Sequence, residues 1–274
     1  DVNLFHMKRD AIALVVDGPE NYRRIVREMI REGVDTVKLV VSGDTGIPHA
    51  PSRSTVMSEE EIAMVAQEVH CRGRRMGAHA RSAGSVKLCV RYGVTIVYHA
   101  TFADEEALDM LEANKGRLFV SPNIGFTAAA IRDTAALGDA GREAHAIVEE
   151  ELEAATRSIA ALRRRGVRIL GGGDYGFAST PHGDNAKDIE YFVKFFGFTP
   201  LEAIQTMTKH GGEAMGLPEP LGQLKEGFLA DLLLVDGNPL ENVRLLQDPD
   251  HFLAIMKDGK FHKEPGHRPQ SRAL

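Results

Sequence analysis

Apolar and polar positions alternate along this chain in two periods that take turns. Tyr22, Ile25, Val26, Met29 and Ile30 recur at helical spacing after Pro19 and stop at Gly33, which predicts a helix opened by proline in its first turn. Val34, Val37, Leu39, Val40 and Val41 then form a nearly continuous β-branched run, the pattern of a parallel strand buried between layers. A polar loop from Ser42 to Met57 follows. Ser58 and Glu61 make a capping-box pair ahead of Ile62, Val65, Ala66 and Val69, so the next helix begins there and runs to Gly73. Strands are predicted at Arg75 to Ala80, Val94 to Tyr98 and Leu118 to Val120, with helices at Ser85 to Tyr92 and Asp104 to Asn114 between them. An alanine-rich stretch to about Glu143 reads as a variable insertion. A long helix from His145 to Arg165 leads through Gly166 into a last short strand, Val167 to Leu170.

Short turns follow the helices and long loops follow the strands, which is the grammar of parallel βα units. Such folds place their sites in the loops at the carboxyl ends of the strands. Five units are clear, and Ala11 to Val16 is a candidate sixth. Eight would close a barrel. Helices are then expected at Asn185 to Phe196 and from Thr199-Pro200 onward. From Leu221 the pattern turns strand-like, with Asp258-Gly259 as a hairpin signal. These last pieces are too short for a core of their own and read as part of a small β-structure.

Chemistry enters at the strand ends. The strand at Val167 runs into Gly171-Gly172-Gly173 and then presents Asp174; three earlier strands carry Lys38, His79 and His99 at or near their ends. Neutral imidazoles and carboxylates are donors for zinc, manganese or cobalt. A lysine ammonium repels a metal, so Lys38 would have to be deprotonated or carry CO2 as a carbamate. Water activated by such a site attacks a carbonyl, and Asp174 would take the water's proton and pass it to a leaving amine.

The set Val37-Lys38-Leu39, Ala78-His79-Ala80, Tyr98-His99-Ala100 and Gly173-Asp174 resembles the metal-dependent amidohydrolase superfamily, in its imidazolonepropionase-like and prolidase-like branch. Pro181-His182-Gly183, Thr199-Pro200-Leu201-Glu202-Ala203 and the tail Gly227-x-x-Ala230-Asp231-Leu232 belong to the same resemblance. It implies an α/β fold, a (β/α)8 barrel of which residues 1–216 supply roughly strands three or four to eight, with residues 217–274 adding strands to a composite β-sandwich. It implies one or two divalent ions, zinc above all, held by carboxylated Lys38, His79, His99 and Asp174, and hydrolysis of an amide, cyclic amide or amino-substituted ring. The family's His-x-His strand has no counterpart: His6 stands alone and no His-x-His occurs in the chain. That predicts that the family's first portion precedes this sequence, and it keeps open a non-catalytic, amidohydrolase-like scaffold. Arg81, Tyr98, Asn123 and His182 are candidate substrate contacts, Arg81 through a bidentate grip on a carboxylate.

Composition narrows the partners. The chain has 274 residues, a formal net charge of −6 and no basic stripe, which argues against nucleic acid and anionic membrane as partners. No apolar run approaches the roughly 20 residues of a membrane span. The expected partner is a small-molecule substrate, with homo-oligomerisation admitted. Cys71 and Cys89 offer no disulfide framework, which fits a reducing cytoplasm. The triple glycine lacks a dinucleotide or P-loop frame.

Overall fold

The computed structural model describes residues 13–217 and 220–266. Four strands form a parallel sheet in the order β1 (Thr36–Val40), β2 (Arg75–Ser82), β3 (Ile96–Phe102) and β4 (Phe119–Ser121). Helices alternate with them: α1 (Pro19–Arg31), α2 (Glu59–His70), α3 (Ala83–Arg91), α4 (Glu105–Ala113), α5 (Ile124–Ala136) and α6 (Arg142–Arg164). Parallel neighbours cannot be joined by a tight hairpin, so a helix occupies each crossover. The local signals act as expected. Pro19 opens α1, and Ser58 and Glu61 close a reciprocal capping box on α2. Ser82 and Asp104 cap α3 and α4 by accepting backbone N–H bonds.

The core lies between the sheet and the helices. Val37 and Leu39 of β1, Met76, Ala78 and Ala80 of β2, and Val97 of β3 pack with Ile62, Val65 and Val69 of α2, Val90 of α3, Leu111 of α4 and Ile159 of α6. The other face of β1 carries Lys38 and Val40, both exposed, and Val40 keeps 51% of its surface. The strand is thus covered on one side only, where its continuous apolar run had suggested two. Registry aligns Val40 with His79 and His79 with Tyr98 with Ser121. Residues in register share a face, so the chemistry-bearing side chains stand on the side away from the helices.

Three expectations are corrected. The segment Val167 to Leu170 is not a full strand: Ile169 makes one isolated parallel bridge to Val120. The alanine-rich stretch is the helix α5 followed by a 3-10 turn, Gly138–Gly141. Ala13 to Val16 form no strand, while Ala11 and Ile12 lie outside the described residues, as does His6. The sheet does not close into a barrel among the described residues.

Three further helices, α7 (Lys187–Phe196), α8 (Pro200–Met207) and α9 (Lys209–Met215), follow, α8 with the Thr199–Glu202 capping box. The chain ends in an antiparallel sheet of β5 (Leu232–Val235), β6 (Phe252–Lys257) and β7 (Lys260–Lys263). Asp258 and Gly259, both at positive φ, turn β6 into β7 as the hairpin signal requires. No helix among the described residues is long and apolar enough to cross a membrane.

Candidate functional site

Backbone strain marks the site. Five described non-glycine residues have positive φ, and four of them cluster here: His99 and Ala100 within β3, and Asn123 and Asp174 just beyond β4 and the Ile169 segment. Side chains with a Cβ pay of order 1–3 kcal/mol to sit in that region, and such residues collect where geometry serves a task. The bend after Tyr98 turns His99 inward, and the carbonyl of Ala100 is fixed by the Ser158 hydroxyl at 2.7 Å.

The imidazoles of His79 and His99 meet edge to face with centroids 4.6 Å apart. His79 Nε2 lies 2.9 Å from the Gly43 carbonyl oxygen, which can only accept, so the proton is on Nε2 and the Nδ1 lone pair is free. The loop that supplies this carbonyl closes so tightly that a Cβ on Gly43 would stand 2.0 Å from the Ala50 carbonyl oxygen. His99 is buried, its Nδ1 has no hydrogen-bond partner, and its Nε2 is 3.7 Å from Asp174 Oδ2. Burial is the main force holding both histidines below their ordinary pKa. For His79 the Gly43 bond opposes it; for His99, lowered well below, the nearby charges of Arg81, His79 and Lys38 add to it. The pair is therefore neutral near pH 7, the state in which imidazole donates a lone pair.

Lys38 rises from β1 in register with Gly77, and its Nζ is 4.8 Å from the centre of the Tyr98 ring. Gly77 is small for a reason visible here: a Cβ on it would touch Tyr98 Cε2 at 3.0 Å. Asn123 is buried at φ 52°, its Oδ1 accepting from the Ser121 hydroxyl at 2.9 Å. His182 is exposed and lies over Gly176.

Arg81 is placed differently from the expectation of a substrate grip. It is buried, and its guanidinium already faces two carboxylates of this chain, Glu151 at 3.1 Å and Asp44 at 2.8 Å. The Asp44 contact is close but not aligned as a hydrogen bond, since Nε has no such partner. Glu151, from α6, also accepts from Thr45 and Ser52 and so ties the loop after β1 to the helix layer. Sequence reasoning missed Glu151, and it missed Asp188 and Tyr175 beside Asp174. Asp188, in the first turn of α7, reads as an ordinary dipole partner, and Glu151, in the middle of α6, as an ordinary helix carboxylate; nothing local shows what either reaches.

The donors suit a divalent ion in chemistry and, for one pair, in spacing. Two ligands of a tetrahedral ion at about 2.1 Å each stand about 3.4 Å apart, so the 3.7 Å between His99 and Asp174, too long for a hydrogen bond, fits two ligands of one ion. His79 adds a neighbouring imidazole. Among the described residues no three His, Cys, Asp or Glu side chains close around a single point.

Comparison with known proteins shows the family of the chain. A model of the amidohydrolase family matches residues 4–261. An ochratoxinase of Aspergillus niger is 30% identical over 257 residues, which cover 93% of this chain and 52% of that protein. The crystal structure of A. niger ochratoxinase superposes with a TM-score of 0.82 at 26% identity, over 93% of this chain and 56% of the other. A prolidase crystallised with N-methylphosphonate-L-proline gives a TM-score of 0.81 at 28% identity, over 93% of this chain and 61% of the other. The chain spans about half the length of the ochratoxinase it matches.

Proposed function

This chain belongs to the amidohydrolase family, and from that premise we propose that it carries the catalytic strand ends of a metal-dependent hydrolase that cleaves a carbon–nitrogen bond, within a (β/α)8 barrel. The observation that carries the reading is the pair of contacts made by His99, whose ring meets that of His79 with centroids 4.6 Å apart and whose Nε2 lies 3.7 Å from Asp174, both His99 and Asp174 being at positive φ.

In this reading His79 through Nδ1, His99 through Nε2 and Asp174 through a carboxylate oxygen would hold one or two divalent ions, most simply zinc, and Lys38 would contribute as a carbamate. A bound ion supplies Lewis acidity and a water acidic enough to lose its proton near neutral pH. Asp174 Oδ receives that proton and returns it to the departing amine. Burial keeps the two imidazoles neutral for their task. Tyr98, beside Lys38 on the open face, is the group best placed to meet a small-molecule substrate; Asn123, buried with its Oδ1 engaged by Ser121, and His182, on its exposed loop, are more peripheral candidates. Arg81 acts through the loop it ties down. The similarity to an ochratoxinase and a prolidase supports an amide bond as the target.

The second reading, a scaffold without catalysis, rests on two observations: no His-x-His occurs in the sequence, and no three donors converge among the described residues. Assay of the metal-loaded full-length protein on a panel of N-acyl amino acids and aryl amides separates the two. Hydrolysis that falls about a hundredfold or more in Asp174→Asn, with most of the metal retained, supports the enzyme. Equal rates for the variant and wild type would exclude Asp174 as the proton carrier.

A further inference from the structure

Asp188, in the first turn of α7, has no exposed surface, and no step of the mechanism above uses it. Its two oxygens accept from two groups that bracket Asp174 along the chain. Oδ2 takes the Gly172 N–H at 2.7 Å and Oδ1 takes the Tyr175 hydroxyl at 2.8 Å. Three further backbone groups of the turn are bonded as well. The Gly173 carbonyl accepts from the Phe126 N–H at 2.8 Å, the Asp174 carbonyl accepts from the Thr180 hydroxyl at 3.0 Å, and the Gly176 N–H donates to the Thr180 carbonyl at 2.7 Å. No side chain fits at Gly173: a Cβ there would stand 2.4 Å from Tyr175 Cε2 and 2.6 Å from Asp188 Oδ1.

Asp174 occupies the left-handed region at φ 53°, a conformation that a non-glycine residue leaves unless its neighbours hold it. We propose that Asp188, acting with Tyr175, is the positioning residue that keeps Asp174 in this conformation with its carboxylate turned to His99. The proposal rests on the reading of Asp174 as the proton carrier. A neutral amide at this position replaces the carboxylate only in part: with its one oxygen on the Gly172 N–H, asparagine can meet the Tyr175 hydroxyl only by turning it from donor to acceptor. The two charge-assisted bonds become two weaker neutral ones, and the turn is held less firmly. Burial raises the Asp188 pKa to about 6 against the two hydrogen bonds, so at pH 8 the ionised form that accepts both donors prevails.

The test uses the full-length, metal-loaded protein at pH 8, with Asp188→Asn and Tyr175→Phe compared with wild type and with Asp174→Asn. Two quantities are measured: hydrogen exchange of the Gly172 amide, and kcat and KM on the N-acyl amino acid hydrolysed fastest. Asp188→Asn is expected to speed exchange at Gly172 tenfold or more and to lower kcat tenfold or more, with KM within about twofold and metal content kept. Tyr175→Phe, which leaves the carboxylate in place, is expected to move both in the same direction by less; it decides the matter if Asp188→Asn fails to fold. Normal kcat with faster exchange would make Asp188 a fold residue only and overturn the proposal, as would unchanged exchange. If Asp174→Asn turns over like wild type, the reading of Asp174 fails instead, and the Gly172 exchange alone decides whether Asp188 holds the turn.

Discussion

The parallel sheet and the C-terminal sheet of this chain are built from similar apolar strands and differ in almost everything else. In β2 every residue after Arg75 is buried, polar ones included, and the strand ends beside it hold four left-handed non-glycine residues. In β5 to β7 Ala254 alone is buried, Leu233, Leu234, Leu253 and Phe261 stand exposed, and the one strained non-glycine residue, Asp258, serves a hairpin turn. The first region spends packing to hold polar groups in uncomfortable places, and the second has no such groups to hold. That contrast locates the chemistry before any donor is named.

The contrast is easiest to break through the core. Ile62 on α2 is fully buried under the parallel sheet, so Ile62→Ala is expected to cost about 2–5 kcal/mol, whereas Leu233→Ala in the exposed sheet should cost less than about 1 kcal/mol. Urea unfolding of this chain measures both. Similar losses at the two positions would mean that the C-terminal sheet is packed as firmly as the first.

Buried charge offers the next distinction. The folded pKa of Asp188, about 6, lies above its ordinary 3.8, so the protonated form is favoured by folding. Its contribution to stability is full below about pH 4 and is lost as pH rises through 6. Relative to Asp188→Asn, the wild-type chain is therefore expected to gain up to about 3 kcal/mol between pH 7 and pH 4. Parallel stability curves for the two proteins across that range would contradict it. No buried carboxylate of this kind occurs among the described residues of β5 to β7.

A smaller effect compares one substitution in two turns. Gly173→Ala drives a methyl into Tyr175 and Asp188 and should cost about 1–3 kcal/mol together with activity. Gly259→Ala meets open space and pays only for its φ of 72°, about 1 kcal/mol, with activity kept. Thermal unfolding and a hydrolysis assay of both variants would sharpen or erase the difference.

Much of the first region was legible in the sequence because its signals are local. The switch between apolar periods located β1 to β4 and their helices, and Pro19, Ser58 with Glu61, and Asp258-Gly259 act where they stand. Lys38, His79, His99 and Asp174 could be picked out because each interrupts or ends an apolar run. What could not be read depends on distant partners. Ile169 has apolar neighbours like any strand, yet only one bridge to Val120 forms. The alanines of α5 carry no apolar period, so the stretch read only as a variable insertion and its helix was not predicted. Arg81 looked free for a ligand because Glu151, the carboxylate it faces, is 70 residues away. Asp188 resembled any acidic residue at the start of a helix until its two bonds around Asp174 were seen.

The central claim is that the strand ends bearing His79, His99 and Asp174 form a metal site, and the bound metal of the full-length protein tests it most directly. Elemental analysis of the purified protein is expected to give about one or two equivalents of zinc, manganese or cobalt, with at least half lost in His99→Ala and none lost in Gly259→Ala. A protein free of such metals even after incubation with zinc, or a His99→Ala variant that holds as much as wild type, would contradict the account.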